Sequence, residues 1–164
     1  MHKTLEAISL ATFVFQAWIT GSALYGAHRL SEKIPIHFDM ASHVDGWGSP
    51  ATLLIFPAIT VPFYLLFTLA KKRLLEATSY PVEVTDENRG RLEALYLDLL
   101  TWIKAEVVCL FAWIQWDVIA AARLQQLQLS AVALVGGPLV VLLTTVIWYN
   151  LAMRRAGRSS SRVS

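Results

Sequence analysis

The sequence has few charged residues and a single cysteine, and each shortage excludes a class of protein. Asp, Glu, Lys and Arg make up 16% of the 164 residues, whereas hydrophobic residues make up 55%. This composition is too apolar for an ordinary soluble domain, and it excludes a disordered chain. Because Cys109 is the single cysteine, an internal disulfide and a disulfide-stabilised scaffold are also excluded.

Motifs for catalysis and phosphate binding are missing as well. The sequence has no glycine-rich phosphate loop, no Gly-x-Ser-x-Gly, no His-Glu-x-x-His and no cysteine pair. The net charge is only +2, and the basic residues lie in short clusters beside apolar stretches, a pattern typical of membrane anchoring. We therefore expect no enzymatic activity, no cofactor and no nucleic-acid partner.

Three long stretches lack charged residues altogether. They comprise residues 7–27, 49–70 and 124–153, which are 21, 22 and 30 residues long. Since about 20 helical residues cross the hydrocarbon core of a bilayer, each stretch is long enough to be a transmembrane helix. The lipid bilayer is thus the first predicted partner of this chain.

A fourth apolar stretch, residues 99–122, carries three charged side chains: Lys104, Glu106 and Asp117. A lone helix with all three at mid-depth would not insert, because their cost exceeds the gain from its apolar residues. We expect Lys104 to reach one membrane interface, Asp117 to lie near the other and Glu106 to face neighbouring helices. Glu106, Trp113 and Asp117 fall within about 20° on one helical face.

Together these features predict an all-α integral membrane protein with four transmembrane helices in a small bundle. The predicted spans are residues 6–27, 50–70, 99–122 and 129–152, within a single membrane domain over residues 1–153. Thr85 or Asp86 is expected to cap a helix that runs from about Glu87 into the third span. The basic tail, residues 154–164, is predicted to be disordered and cytoplasmic.

The distribution of Lys and Arg predicts the orientation. Ten of these residues lie in the N-terminus, the 71–98 loop and the tail, whereas three, Arg29, Lys33 and Arg123, lie on the other side of the membrane. By the positive-inside rule, both termini are cytoplasmic and the loop between the first two spans lies outside the cell. We expect a multi-pass protein of the cell membrane. Small residues four apart on the first span, such as Ala17 and Gly21, leave homo-oligomerisation open.

The outside loop contains the most specific pattern in the sequence. Ile34, Ile36, Phe38 and Met40 alternate with polar residues or proline, which predicts an extended strand with one apolar face and with His37 and Asp39 on the other. A glycine-rich turn, residues 46–48, is expected next. Ser49 followed by Pro50 predicts the capped start of the second span.

This loop resembles a short domain of unknown function found in the sporulation-delaying-protein (Sdp) toxin immunity family of bacterial membrane proteins. The resemblance covers about residues 15–65, and its motif lies in residues 34–49. The matching motif residues include Pro35, His37, Phe38, Asp39, Asp45, Trp47 and Gly48. Three positions depart from the family pattern: Ser42 replaces a glycine, Val44 a proline and Pro50 a lysine.

The resemblance implies a membrane protein of the toxin-immunity type that acts by binding or signalling rather than by catalysis. Its implied partner is a secreted peptide toxin or a membrane-recruited regulator. Three interpretations of the loop remain open: the polar side chains lock the loop structurally, contact a peptide, or bind a metal. For a metal, the weak candidates are His37, Asp39, His43 and Asp45. The alternative function is a small transporter or ion-coupled permease subunit that uses Glu106 and Asp117.

Overall fold

The computed structural model describes residues 2–26, 29–30, 32–39, 41, 43–124 and 130–160. Its five helices are α1 (His2–Tyr25), α2 (Ile55–Leu69), α3 (Lys71–Glu76), α4 (Arg89–Leu124) and α5 (Ala131–Ser160). Between α1 and α2 lie two short strands, β1 (Ile34–Phe38) and β2 (Val44–Gly48), and a 3-10 helix (Pro50–Leu54) that leads into α2.

Among the described residues, four helical segments are long and apolar enough to cross a membrane, the same number as the predicted spans. They are Lys3–Tyr25, Pro50–Leu69, Arg89–Leu124 and Val132–Arg158. Their length and composition indicate a multi-pass membrane protein. Large apolar side chains that are exposed on these helices are suited to contact lipid, among them Val14, Phe15, Leu66, Val140 and Ile147.

Helix α4 is the centre of the bundle, because it packs against α1, α2 and α5. Its first turn is capped as predicted. The backbone N–H of Asn88 donates to Thr85 Oγ1 (3.3 Å), and the backbone N–H of Thr85 donates to Asn88 Oδ1 (2.8 Å). This reciprocal pair satisfies free backbone donors where the helix begins, and the helix continues without a break into the third span.

The start of the second span is also confirmed. Ser49 Oγ accepts a hydrogen bond from the backbone N–H of Ala51 (3.2 Å), and Pro50 opens the first turn. The turn is a 3-10 helix rather than an α-helix, and the α-helical geometry begins at Ile55. The cap therefore fixes where the chain leaves the strands and enters the bundle.

The tail corrects one expectation, since α5 continues to Ser160 whereas disorder was predicted from Arg154. Ala156 is buried and belongs to an apolar cluster with Leu92, Leu99, Tyr149 and Met153. The connection before α4 packs closely against this part of α5. A Cβ atom added at Gly157 would lie only 2.8 Å from Val82 Cβ. Residues 161–164 of the predicted tail lie outside the described residues.

Candidate functional site

The strands β1 and β2 form an antiparallel hairpin, which we call the outer hairpin (residues 34–48). Its register pairs Ile34 with Gly48 and Pro35 with Trp47, and irregularities follow on both strands before Phe38 meets Val44. A bulge of this kind inserts an unpaired residue and breaks the alternation of faces. The predicted apolar face is therefore wrong in part: Pro35 is buried, whereas Ile36 is 47% exposed. Met40 lies outside the described residues.

Two glycines allow the strands to approach closely. A Cβ atom added at Gly46 would lie 2.8 Å from His37 Cβ, and one added at Gly48 would lie 2.7 Å from Ile36 Cδ1. These residues belong to β2, so the predicted glycine-rich turn at residues 46–48 is wrong. The chain reverses instead between Asp39 and His43, which bracket the turn.

A cross-strand pair of polar side chains braces the middle of the outer hairpin. His37 Nδ1 lies 2.5 Å from Asp45 Oδ1, and the two side chains remain 72% and 46% exposed. Protonated at Nδ1, the imidazole donates to the carboxylate. The pair is thus accessible from solvent while its geometry is held by both strands.

Asp39 closes the turn of the outer hairpin. Its Oδ1 accepts from the backbone N–H of His43 (2.8 Å), and its own N–H donates to the His43 carbonyl (2.9 Å). The side chain of His43 adds a contact, with Nδ1 3.3 Å from Asp39 Oδ2. The backbone hydrogen bond from His43 lowers the pKa of Asp39. The carboxylate's contribution to the turn is therefore present at neutral pH and is lost as the pH falls through this lowered pKa.

The four residues considered for a metal site form two separate pairs, His37 with Asp45 and His43 with Asp39. Within the described part of the chain, no group of three or more His, Cys, Asp or Glu side chains is arranged to hold a metal ion. The geometry of these residues thus suits hydrogen bonding within the hairpin.

The base of the outer hairpin is anchored in the bundle. Ile34 is fully buried in an apolar cluster with five residues from α1, the 3-10 helix and α4: Ile19, Ala23, Leu53, Ile119 and Ala122. Because this cluster joins the strand to three other elements, the hairpin is held against one end of the bundle. We call this the hairpin end.

The outer hairpin also exposes apolar side chains. Ile36 and Trp47 are about half exposed, and the backbone of Trp47 is opposite that of Pro35. Phe38 is half-buried. Exposed aromatic residues are enriched at protein-binding surfaces.

The side chain of Lys104 is buried inside the bundle, where it meets Glu6 near the start of the first predicted span. Its side chain is 0% exposed and forms an ion pair with Glu6 of α1. Lys104 Nζ also donates to Thr68 Oγ1 (3.2 Å) and lies 5.0 Å from the centre of the Tyr64 ring. Sequence reasoning missed Glu6, although its position one residue before an uncharged stretch was a signal that the carboxylate enters the span.

The other two intramembrane charges differ in how well they are partnered. Glu106 Oε1 accepts a hydrogen bond from Thr145 Oγ1 of α5 (2.6 Å), which confirms that Glu106 faces a neighbouring helix. Asp117 is almost fully buried within the bundle. Glu106 Oε2 and Asp117 Oδ2 are buried without a hydrogen-bond partner among the described residues. Both groups therefore have capacity to accept a further hydrogen bond.

A family model described as a domain of unknown function (DUF1648) matches residues 11–61. This segment comprises most of α1, the outer hairpin, the 3-10 helix and the first half of α2. No curated protein and no solved structure matches the chain. The family resemblance thus falls on the part of the molecule that builds and anchors the outer hairpin.

Proposed function

We propose that this protein is a cell-membrane protein of the toxin-immunity type, which binds a secreted peptide through its outer hairpin and acts without catalysis. In this proposal both termini are cytoplasmic and the hairpin end faces outward. The observation that carries it is the set of exposed side chains on the hairpin: the His37–Asp45 pair, and Ile36 and Trp47, which are about half exposed.

Three properties of the hairpin suit peptide binding. The hairpin is braced by two histidine–aspartate pairs, so little ordering entropy is lost when a ligand binds. Trp47 offers a large apolar surface, and His37 and Asp45 offer polar groups that can exchange their mutual bond for bonds to a ligand. The buried Ile34 packs the hairpin against α1 and α4. A peptide bound to the hairpin can therefore act on the bundle, and through the bundle on a regulator recruited at its cytoplasmic side.

The proposal predicts that the outer hairpin is required for protection against a peptide toxin. Deleting the protein should make host cells sensitive to the toxin. Cells that carry the His37→Ala or Asp45→Ala variant at the native protein level should be as sensitive as the deletion strain. The measurement is growth over a toxin concentration series with immunoblotting of membranes. Glu32→Ala, which removes an exposed carboxylate just before β1, is the matched control and should protect fully.

The alternative function, ion-coupled transport, is favoured by one observation: Glu106 and Asp117 each carry a buried oxygen without a partner in the described part of the bundle. Ionisable groups of this kind within membrane spans are typical of ion pathways. The same growth assay separates the two functions. If Glu106→Gln and Asp117→Asn abolish protection while the hairpin variants retain it, peptide binding by the hairpin is contradicted.

A further inference from the structure

A groove lies between α4 and α5, and no residue of the outer hairpin is among the described residues that line it. It has a volume of 390 Å³ and is lined by Glu106, Cys109, Leu110 and Trp113 of α4 and by Ala133, Gly137, Pro138 and Val141 of α5. We call it the α4–α5 groove. Its volume lies within the range of small-molecule sites, which extends from about 300 to 1,000 Å³.

Two residues of α5 keep this groove open. Gly137 has no side chain, and a Cβ atom placed there would meet nothing within 4 Å. Pro138 lies inside the helix and has no backbone N–H, so the carbonyl of Leu134 cannot receive the usual helical hydrogen bond from position 138. The groove is therefore lined on the α5 side by a residue without a side chain and by a proline that interrupts the regular helical hydrogen bonds.

Glu106 gives the groove its chemical character, because it is the one charged residue among those described as lining it. Thr145 holds one oxygen of the carboxyl group, Oε1, through a hydrogen bond of 2.6 Å. The other oxygen, Oε2, is buried and unpartnered among the described residues. An unpaired carboxylate oxygen in an apolar setting is costly, so the group favours a ligand that supplies a charged donor.

We propose that the α4–α5 groove binds an apolar primary amine, whose ammonium group pairs with Glu106 and whose hydrocarbon chain lies along Leu110 and Val141. Charge complementarity selects this occupant. A lipid acyl chain would fill the space but leave the groove's charged residue without a counter-charge, whereas an alkylammonium ion suits both Glu106 and the apolar walls. Thr145 acts as a positioning residue that fixes the orientation of the carboxyl group.

The test uses the full chain in phosphatidylcholine nanodiscs and a dodecylamine that carries a photoreactive diazirine, with cross-linked residues mapped by mass spectrometry. We expect saturable cross-linking to groove residues. Glu106→Gln keeps an acceptor for Thr145 but removes the charge, and should weaken binding by about tenfold or more, as expected for loss of a charge-assisted hydrogen bond. Asp117→Asn, which neutralises the other buried carboxyl group on the same helix, should bind as the native chain does.

Two further measurements show whether cross-linking depends on the space in the groove and on the amine. Gly137→Leu fills the groove from a position where a side chain meets no obstacle, and it should abolish cross-linking while the protein remains folded. The alcohol of equal chain length, carrying the same diazirine, should label the groove much more weakly than the amine. Equal labelling by amine and alcohol would show partition of an apolar chain and would overturn the proposal, as would undiminished binding to Glu106→Gln.

Discussion

Replacing Glu6 by leucine is expected to destabilise the folded protein by about 3 kcal/mol, the lower end of the cost of leaving a buried charge without its partner, because Lys104 is fully buried whereas the Glu6 side chain is 35% exposed. Lys104, whose side chain is fully buried, would retain only the Thr68 hydroxyl and the face of Tyr64. Neither group carries a charge that compensates for removing an ammonium ion from water. The measurement is the free energy of unfolding in mixed micelles.

Two companion variants distinguish this explanation from a general sensitivity of α1. Lys71 Nζ lies 3.0 Å from the same carboxylate, but its side chain is 30% exposed, so Lys71→Met should cost no more than about 1 kcal/mol. In the double variant Glu6→Leu with Lys104→Met, no buried charge is left, and stability should return most of the way to the native value. A double variant less stable than Glu6→Leu would contradict the assignment of the cost to an unpaired Lys104.

Ile34→Ala is expected to have the second largest effect, about 2–5 kcal/mol, because it leaves a cavity in the cluster that anchors the outer hairpin. The loss should also be local. Since Ile34 contacts the cluster shared by α1, the 3-10 helix and α4, its removal should increase hydrogen exchange at the backbone amides of β1 and β2. Exchange in the half of α4 that faces α5 should change less.

Ile36 provides a matched control in the same strand. It is the same residue type two positions away, yet 47% of its surface is exposed. Ile36→Ala should change the free energy of unfolding by less than about 1 kcal/mol, because little buried apolar surface is lost. If the two alanine variants were equally destabilised, the outer hairpin would not be held by burial of Ile34.

The helices were largely predictable from the sequence, because a membrane imposes strong local requirements. Uncharged stretches of 21 and 22 residues located the first two spans, Ser49 and Pro50 located a helix start, and Thr85 located the cap of α4. Each signal is either a length set by the bilayer or a hydrogen bond between near neighbours, so no knowledge of distant contacts was needed.

Features that depend on contacts between distant segments were not predictable. The alternation of apolar residues in β1 suggested that Ile36 was buried, but an irregular register turns it outward. The basic composition of the tail suggested disorder, yet Ala156 packs into an apolar cluster at the end of the bundle opposite the outer hairpin. Glu6 and Lys104 are 98 positions apart in the sequence, and only the packing of α1 against α4 brings them together.

The candidate site was only partly predictable, because some of its features also depend on contacts between distant segments. The motif over residues 34–49 drew attention to His37, Asp39 and Asp45, all of which the structure places in or beside the hairpin. The sequence did not show which histidine pairs with which aspartate, because this depends on strand register. It also did not show the α4–α5 groove, because the packing of one helix against the next decides which of their residues line a common space.

The outer hairpin can meet a secreted peptide only if it lies outside the cell, and the orientation can be measured directly. In a Cys109→Ser background, single cysteines at Ile36 in the hairpin and at Ser79 in the connection before α4 are exposed positions for labelling. We expect a membrane-impermeant maleimide to label position 36 in intact cells and position 79 only after lysis. Labelling of position 79 but not of position 36 in intact cells would place the hairpin in the cytoplasm and contradict the proposed function.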